Sequence, residues 1–222
     1  LAAAYARAAD DREAHPEARA LARFRLAEAE RARGNLQKEA AALRRLGFVG
    51  RWRVIGPFDD EGKRGLAEAF PPEKAIDLAA RHPGKVREVA WRALPDDAVV
   101  DGFVHLGAAL RPAREVVAYA LAEIEAPHDL EVRLWLGASG AARVWVNGAA
   151  VLTDPDYHPA RLDQRGAAVT LRRGANRILV KLCHQDGRMG FYLRLADARG
   201  EGMELAAADP RGAALQEVPA PG

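Results

Sequence analysis

Residues 130–195 read LEVRLWLGASGAARVWVNGAAVLTDPDYHPARLDQRGAAVTLRRGANRILVKLCHQDGRMGFYLRL, and this stretch decides the fold class. In its first run, apolar and other residues alternate, which puts Leu130, Val132, Leu134 and Leu136 on one face of a β-strand. Further strand-like runs follow, separated by turn signals, at residues 143–147, 149–152, 168–171, 177–183 and 191–195. Several short strands joined by such turns are typical of an antiparallel β-sandwich or barrel.

Asn147-Gly148 is the strongest short hairpin signal in this stretch. A type I′ turn requires positive φ at both central residues, and Asn followed by Gly accepts that conformation best. The pair therefore predicts a hairpin between residues 143–147 and 149–152. The turn at residues 173–176 is expected in the same way to lead into the nearly continuous apolar run 177–183.

Residues 137–140 carry two glycines and a serine, and they predict a second hairpin, between the strands on either side. In that register Leu134 would face Val144 and Val132 would face Val146. Both apolar stripes would then share the core face, because a strand alternates its faces residue by residue.

The same register would place Trp135 opposite Arg143, and Arg133 opposite Trp145, on the other face. Each cross-strand pair could contribute about 0.5–1 kcal/mol at an exposed site. Two interpretations stay open for this ladder of tryptophan and arginine. It covers the outer sheet or packs under another segment, or it forms an aromatic and basic platform that docks a sugar ring or a partner chain.

The motif RVWVNG at residues 143–148 is followed, after an irregular loop, by L-x-x-G-x-N-x-I-x-V at residues 171–180. This succession resembles the galactose-binding-like jelly roll, over about residues 129–197. The fold includes the sugar-binding domain of bacterial β-galactosidases and β-glucuronidases. The resemblance implies a mainly β chain, an antiparallel jelly-roll β-sandwich. In those glycosidases the domain is accessory and carries no catalytic acid or nucleophile, so no residue is carried over as catalytic.

Residues 1–46 are rich in Ala, Leu, Arg and Glu, which favour helix. A helix is predicted from Pro16, at its first turn, to about Arg33, and another over residues 36–46, ended by Gly47. The pattern of small and apolar residues around residues 22–36 resembles half of a tetratricopeptide-type helical hairpin. A single repeat cannot bury its face alone, so we expect the hairpin to cap the sandwich or to continue a truncated array.

The length, 222 residues, suffices for one core with a helical attachment. We predict an N-terminal α-helical hairpin at residues 1–47, a galactose-binding-like β-sandwich at residues 48–205 and a loose tail or linker at residues 206–222. Further strands are predicted at residues 52–55, 89–92, 99–106 and 116–124. The last of these could be mistaken for a helix, but its valine pair and the flanking prolines favour a strand.

Basic and acidic residues number 33 and 31 and are interspersed, which disfavours a nucleic-acid partner. No apolar run is long enough to span a membrane. Cys183 is the sole cysteine, so an internal disulfide is impossible and a buried, inert thiol is expected. Because the chain starts at Leu1 in mid-pattern, we expect a fragment of a longer protein. Separately, an extracytoplasmic location, periplasmic or secreted, is favoured.

The longest loop between predicted strands follows residue 153 and offers a candidate ligand site. Loops at one end of a β-sandwich often bind ligands. Here Tyr157 could stack on a sugar, while Asp156, His158 and Arg161 could hydrogen-bond its hydroxyls. The alternative is a well-capped loop in which Asp and Arg residues pair locally.

Asp59, Asp60 and Glu61 form an acidic loop that could donate oxygens to a structural Ca²⁺. The alternative is a solvated turn or a helix cap. The order G-P-F-D-D-E-G at residues 56–62, followed by F-P-P-E at residues 70–73, is similar to a stretch of large bacterial multi-domain proteins. Those proteins combine helical repeats, this type of sandwich and sometimes a transglutaminase-like domain.

The sequence disfavours an enzyme. It contains no G-x-S-x-G, P-loop or G-x-G-x-x-G motif. Cys183 and His184 are neighbours on a predicted strand and point to opposite faces, so they cannot act together as nucleophile and base. We therefore predict a non-catalytic accessory or interaction module of a larger bacterial protein, whose partners are neighbouring domains or another protein. The alternative is a carbohydrate-binding module that targets an attached enzyme. Apart from the possible Ca²⁺, no cofactor is expected.

Overall fold

A computed structural model describes residues 1–208, so the predicted tail lies outside the described residues from residue 209 onward. The chain begins with a helical layer, formed by α1 (Ala2–Asp10), α2 (Pro16–Arg31) and α3 (Leu36–Arg44). Pro16 occupies the first turn of α2, as its fixed φ and missing N–H favour. Two single-turn helices, α4 (Pro71–Lys74) and α5 (Leu106–Ala109), lie later in the chain.

The strands of the described residues are β1 (Arg53–Asp59), β2 (Arg81–Pro83), β3 (Glu88–Ala90), β4 (Arg92–Ala93), β5 (Val99–Val100), β6 (Phe103–His105), β7 (Val116–Ala126), β8 (Leu130–Ala138), β9 (Ala141–Val146), β10 (Ala149–Asp154), β11 (Arg165–Leu171), β12 (Gly174–His184) and β13 (Gly190–Ala196). Six of them form a sheet in the order β10-β9-β12-β7-β1-β4, and five form a second sheet in the order β11-β8-β13-β6-β5. Strands β2 and β3 pair with each other outside both sheets. The pairing is antiparallel throughout, so the predicted antiparallel β-sandwich with an N-terminal helical segment is confirmed.

The core lies between the two sheets and follows from strand alternation. The six-stranded sheet contributes alternate residues of its long central strands, such as Ala120 on β7 and Val180 on β12, which pair with each other. The five-stranded sheet contributes Leu134, Leu193 and their neighbours of the same parity. Strand β7 pairs with β12 along its whole length, which confirms that residues 116–124 form a strand.

The two asparagines of the sequence motifs meet at one end of the sandwich. Asn147 and Gly148 have φ of 51° and 83°, as a type I′ turn requires. The Asn147 side-chain amide donates to Asn176 Oδ1 at 2.8 Å, and its own oxygen accepts from the backbone N–H of Arg177 at 2.9 Å. The motif residues thus tie the β9–β10 turn to the start of β12.

The helical layer packs on the outer face of the five-stranded sheet. Phe24 of α2 contacts Tyr192 of β13 edge-to-face, with ring centroids 5.8 Å apart, and Phe48 lies 6.1 Å from the same ring. Phe103 of β6 completes this aromatic cluster at 4.9 Å from Tyr192. The backbone after α3 also joins the sheet, because Val49 N–H donates to the carbonyl of Leu193. The helices are therefore an integral layer of this unit.

Substituting Ala for Phe24 is expected to lower the free energy of unfolding by about 2–3 kcal/mol, since the ring is half-buried and joins two aromatic contacts. Urea unfolding followed by circular dichroism would measure the loss. Leu21→Ala, on an exposed position of the same helix, should change stability by less than about 0.5 kcal/mol. Equal effects of the two substitutions would contradict the docking role of Phe24.

Residues 60–91, called the cover segment below, lie over the outer face of the six-stranded sheet. Phe70 and Trp91 of this segment join Phe58, Tyr119 and other outward residues of the sheet in a second apolar cluster. Lys181 is buried in the same face, and its ammonium donates to Glu73 Oε1 at 2.7 Å. The cover segment therefore closes much of the second outer face of the sandwich.

The start of the predicted tail is part of the sheet. Ala206 accepts a hydrogen bond from the backbone N–H of Glu125, and Ala208 N–H donates to the carbonyl of Glu123. Residues 206–208 thus pair with β7 beyond the end of β1, and the ordered backbone of the sandwich extends past the predicted boundary at residue 205. No helix among the described residues combines the length and apolarity that a membrane span requires.

Candidate functional site

The two tryptophans of the predicted platform lie in different sheets. Trp135 belongs to β8 of the five-stranded sheet, and Trp145 to β9 of the six-stranded sheet. The predicted hairpin between these strands is wrong, because the corner at Gly140, with φ of 122°, carries the chain across the core into the other sheet. Consequently Trp135 does not face Arg143, and Trp145 does not face Arg133.

The register predicted for the apolar residues fails for the same reason. Leu134 pairs with residues of β11 and β13, while Val144 pairs with residues of β10 and β12. Likewise Val132 and Val146 are not cross-strand partners. All four side chains nevertheless point into the one shared core. Alternation correctly predicts the face of each residue, but not the strand beside it.

Trp135 is closed off on the outer face of the five-stranded sheet. Its ring lies on Gly166, where an added Cβ would come within 2.7 Å of it, and the residue is only 7% exposed. The guanidinium carbons of Arg133 and Arg194 lie 5.6 and 5.7 Å from its ring centroid. The Arg133–Trp135 contact is made within one strand, two residues apart, rather than across a hairpin.

Trp145 lies on the outer face of the six-stranded sheet and is half-buried. It packs against the second apolar cluster, and the guanidinium of Arg143 lies 5.8 Å from its ring centroid. Arg143 also reaches Thr153 on the neighbouring β10. Of the two tryptophans, Trp145 therefore keeps an accessible part of its ring, on a face that Trp135 does not share.

The loop of residues 155–164 uses most of its polar groups internally. Asp156 pairs with Arg165 at 3.0 Å, and His158 Nε2 lies 3.0 Å from the buried carboxylate of Asp154. The other ring nitrogen of His158 contacts the Gln164 amide at 2.9 Å. This is the local pairing that the sequence left open as the alternative to a ligand site.

Arg161 occupies the turn of this loop. Its backbone N–H donates to the Gln164 side-chain oxygen at 3.0 Å, and its carbonyl lies against Gly137 of β8. A Cβ on Gly137 would lie 1.6 Å from that carbonyl oxygen, so only glycine permits the close approach. The Arg161 side chain is exposed and makes no ion pair with any residue between 1 and 208.

Tyr157 and Asp60, which the sequence assigned to two separate candidate sites, meet at one end of the sandwich. The Tyr157 hydroxyl donates to Asp60 Oδ2 at 3.0 Å, and the Gln185 amide donates to the same oxygen at 2.9 Å. The backbone N–H of Gly65 donates to Asp60 Oδ1 at 2.8 Å. Burial, together with the nearby Cys183 and Asp60, raises the pKa of Tyr157. The hydroxyl therefore stays a hydrogen-bond donor.

Replacing Tyr157 by Phe should lower the free energy of unfolding by about 1–2 kcal/mol, because Asp60 loses one of its three donors while buried. Differential scanning calorimetry would measure this loss. The matched variant is Tyr5→Phe, whose hydroxyl makes no hydrogen bond within the described part of the chain, and it should be neutral. A neutral Tyr157→Phe would contradict the role given to this contact.

The acidic loop does not gather its carboxylates around a common point. Asp59 and Glu61 pair with the Lys85 ammonium at 2.9 and 3.4 Å, and that ion pair lowers the pKa of Asp59. Asp60 turns inward to Tyr157 and Gln185. Between residues 1 and 208 no group of three His, Cys, Asp or Glu side chains could hold a metal ion. The arrangement therefore does not fit the suggested Ca²⁺ site.

Cys183 and His184 lie on opposite sides of β12, as strand alternation predicts. Cys183 is buried in the second apolar cluster, and burial raises the pKa of its thiol to about 12. His184 Nδ1 donates to the carbonyl of Ser139 at 2.7 Å. A thiol with so high a pKa stays protonated, so native Cys183 should resist alkylation by iodoacetamide at pH 8 and react only after unfolding. Mass spectrometry of both states would show the difference, and rapid labelling of the native protein would contradict it.

Three carboxylates that pair with buried cations organise the molecule, and none of these contacts was predicted from the sequence. They are Lys181 with Glu73, Arg194 with Asp163, and Glu201 with Arg19 and Arg23. For Lys181 a signal existed, because a single lysine in the middle of the run ILVKLC must find a partner if both faces of the strand are buried. The other contacts join Arg194 to Asp163, 31 positions apart, and Glu201 to two arginines about 180 positions away, and no local pattern reveals them.

Comparison with known proteins adds no family assignment. No protein-family model matches the chain, and no curated protein matches it. Among solved structures it is similar to an anti-sigma factor domain-containing protein from Clostridium clariflavum, at 14% identity over 72% of this chain and 48% of that chain, with a TM-score of 0.43. It is also similar to a family 35 carbohydrate binding module from Clostridium thermocellum, at 22% identity over 36% of this chain and 68% of that chain, with a TM-score of 0.28.

A beta-glucosidase from Kluyveromyces marxianus in complex with glucose is a third similar structure, at 14% identity over 44% of this chain, with a TM-score of 0.36. This chain spans 14% of that enzyme and about half of the anti-sigma factor domain-containing protein. With TM-scores below 0.5, these likenesses assign neither a function nor a ligand to the chain.

Proposed function

We propose that this chain is a non-catalytic interaction module of a larger bacterial protein, in which the helical layer and the sandwich act as one unit that holds neighbouring domains or a protein partner. The observation that carries this proposal is the internal use of the polar loop at the end of the sandwich. Asp156, Tyr157 and His158 all hydrogen-bond or ion-pair with side chains of the chain itself. A sugar would have to displace these contacts to use them.

The union of helices and sandwich supports the same proposal. Glu201 precedes Gly202, which makes a β-bridge to Ala196 of β13. Its carboxylate accepts from Arg19 and pairs with Arg23 Nη1 at 3.0 Å. Arg23 also donates to the backbone carbonyls of Ala9 and Arg45, close to the ends of α1 and α3. Helix ends leave carbonyls without intrahelical partners, and one guanidinium here serves two of them. The helices are thereby fixed in orientation, which suits a module that positions other segments.

Within this proposal the sandwich is of the galactose-binding-like kind and the helical layer is tetratricopeptide-like. The hydrogen bond between Asn147 and Asn176 supports the first part, because it gives both motif residues a structural role in one turn. The packing of α2 against α1 and α3 supports the second. A periplasmic or secreted location belongs to the same proposal, and fractionation of the producing cells would test it.

A carbohydrate-binding module that targets an attached enzyme is the second candidate. It is favoured by one observation, the accessible ring of Trp145 with Arg143 beside it on the outer face of the six-stranded sheet. An aromatic ring with an adjacent donor can dock the apolar face of a sugar. The groups of this candidate lie away from the loop that the sequence singled out.

A thermal-shift screen against mono- and oligosaccharides separates the two candidates. The interaction module predicts no saturable rise in Tm with any sugar in the wild type. A saturable rise that disappears in Trp145→Ala, and persists in the control variant Tyr5→Ala, would overturn it in favour of the carbohydrate-binding module. If the rise in Tm disappears in Tyr157→Ala instead, the sugar binds at the loop of residues 155–164.

Cross-linking mass spectrometry tests the interaction role directly. The lysines Lys38, Lys63 and Lys74 are exposed on the helical layer and the cover segment. In the full-length protein we expect cross-links from at least one of them to another domain or to a partner chain. Cross-links confined to pairs within residues 1–208 would count against the proposal.

A further inference from the structure

A groove of about 320 Å³ opens between the three N-terminal helices, away from the loop and the tryptophans described above. Its apolar walls come from small or aliphatic residues of all three helices. Its charged lining contains three cations and two carboxylates: Arg23, Lys38, Arg45, Asp10 and Glu30.

The carboxylates of the groove are already engaged. Asp10 pairs with Arg45 at 3.1 Å, and Glu30 accepts from the Asn35 amide at 2.6 Å. Glu30 also lies 3.5 Å from Arg33. Neither carboxylate is left to balance the remaining cations of the groove.

The cations of this region outnumber its carboxylates. Glu201 serves Arg19 and Arg23 and lies 3.9 Å from Arg45, so three guanidiniums converge on one carboxylate. Lys38 makes no ion pair or hydrogen bond with its side chain among residues 1–208. The groove therefore carries an excess of positive charge.

Arg23 also has a donor without an acceptor. The residue is 1% exposed, and its Nε–H finds no partner within the described part of the chain, as is also true of Arg19 Nε. Guanidinium nitrogens can only donate, and a buried donor without an acceptor costs free energy. Burial, followed by the nearby Arg45 and Arg19, lowers the pKa of Arg23 to about 10, in keeping with an unbalanced site.

We propose that this groove binds a small oxyanion, a phosphate or a short-chain carboxylate, through Arg23, Arg45 and Lys38. An oxyanion gives Lys38 the acceptor that it lacks among residues 1–208, and it brings a further negative charge to Arg23 and Arg45, which share Glu201 with Arg19. Hydrogen bonds between ions are the stronger kind. Water alone fits the groove less well, because its walls at Ala6, Ala9, Leu26, Ala41 and Ala42 are apolar. Those walls suit the alkyl part of a carboxylate.

Titration of the whole chain with sodium phosphate, acetate and butyrate tests the site, with Tm as the readout and ionic strength held constant with sodium chloride. We expect a saturable rise in Tm with phosphate or with a carboxylate, beyond that of chloride. A larger response to butyrate than to acetate would identify a carboxylate ligand, and a response to phosphate alone a phosphate ligand. The same small rise in Tm with every salt, chloride included, would indicate a general salt effect and would overturn the proposal.

Two variants make the test specific. Lys38→Gln removes an exposed cation of the groove and should weaken the anion about tenfold, while Lys74→Gln removes an exposed cation elsewhere and should leave its Kd unchanged. Arg23→Lys should weaken binding at least as much as Lys38→Gln. Arg23→Lys also disturbs the helices, because Arg23 donates to carbonyls close to the ends of α1 and α3. The Kd of Lys38→Gln therefore decides the test, since the Lys38 side chain makes no such contact. Equal Kd values in Lys38→Gln and Lys74→Gln would overturn the proposed site.

Discussion

Replacing Glu73 by Ala is expected to lower the free energy of unfolding by about 3–5 kcal/mol. Lys181 is fully buried in the middle of β12, and its ammonium lies 2.7 Å from Glu73 Oε1 and 2.6 Å from the carbonyl oxygen of Glu68. Without the carboxylate, a buried positive charge keeps only one carbonyl acceptor. The Tyr119 hydroxyl, which donates to the same carboxylate, loses its partner as well. Equilibrium unfolding in urea measures the loss.

Two further variants show whether the charge is the cause. Glu88→Ala removes an exposed pair with Arg81 in the same cover segment and should cost less than about 1 kcal/mol. Adding Lys181→Met to the Glu73→Ala variant should recover much of the lost stability, since no unpaired charge then remains buried. If Glu73→Ala cost no more than Glu88→Ala, the cover segment would be held by its apolar contacts alone.

Asp163→Ala is expected to cost a similar amount, about 3–5 kcal/mol, on the opposite face of the molecule. Arg194 is 1% exposed and donates through Nε and Nη2 to the two oxygens of Asp163, at 2.7 and 2.5 Å. Its Nη1 has no acceptor among the described residues even in the intact protein. Loss of the carboxylate would leave the whole guanidinium buried and unbalanced beneath the helical layer and Trp135.

The loop should respond together with the ion pair. Asp163 holds the end of residues 155–164 on the five-stranded sheet, so its loss should also speed limited proteolysis within this loop. The control is Asp156→Ala in the same loop, which removes an exposed pair with Arg165 and should cost less than about 1 kcal/mol. Equal stability and equal cleavage rates of the two variants would show that Arg194 needs no counter-charge.

Local sequence patterns predicted most of the elements of the fold. Alternation, apolar runs and turn signals identified the strands after residue 116, and helix-forming composition with Pro16 and Gly47 identified α2 and α3. The Asn147-Gly148 turn was predicted with its strand pairing, because a two-residue turn leaves only one partner for each strand. In each of these elements the determining interactions lie within a few residues along the chain.

Pairing over longer distances was not predictable in the same way. The turn at residues 137–140 fits a hairpin as well as a corner, and its sequence does not distinguish them, since both send the same residues into the core. The structure makes it a corner, which separates Trp135 from Trp145 and removes the predicted platform. Asp154 and Arg165, which pair with side chains of the loop at residues 155–164, flank that loop directly, whereas Asp60, the partner of Tyr157, lies 97 positions away.

The sequence by itself thus determined which residues face a core and where the chain turns, because alternation and turn chemistry act over a few residues. Only the tertiary structure decided which strands are neighbours beyond the β9–β10 hairpin, which charges are buried and which donors lack an acceptor. Those outcomes depend on contacts such as Arg19 with Glu201, between residues 182 positions apart. Long-range contacts of this kind are selected by the packing of the whole molecule, and no local pattern encodes them.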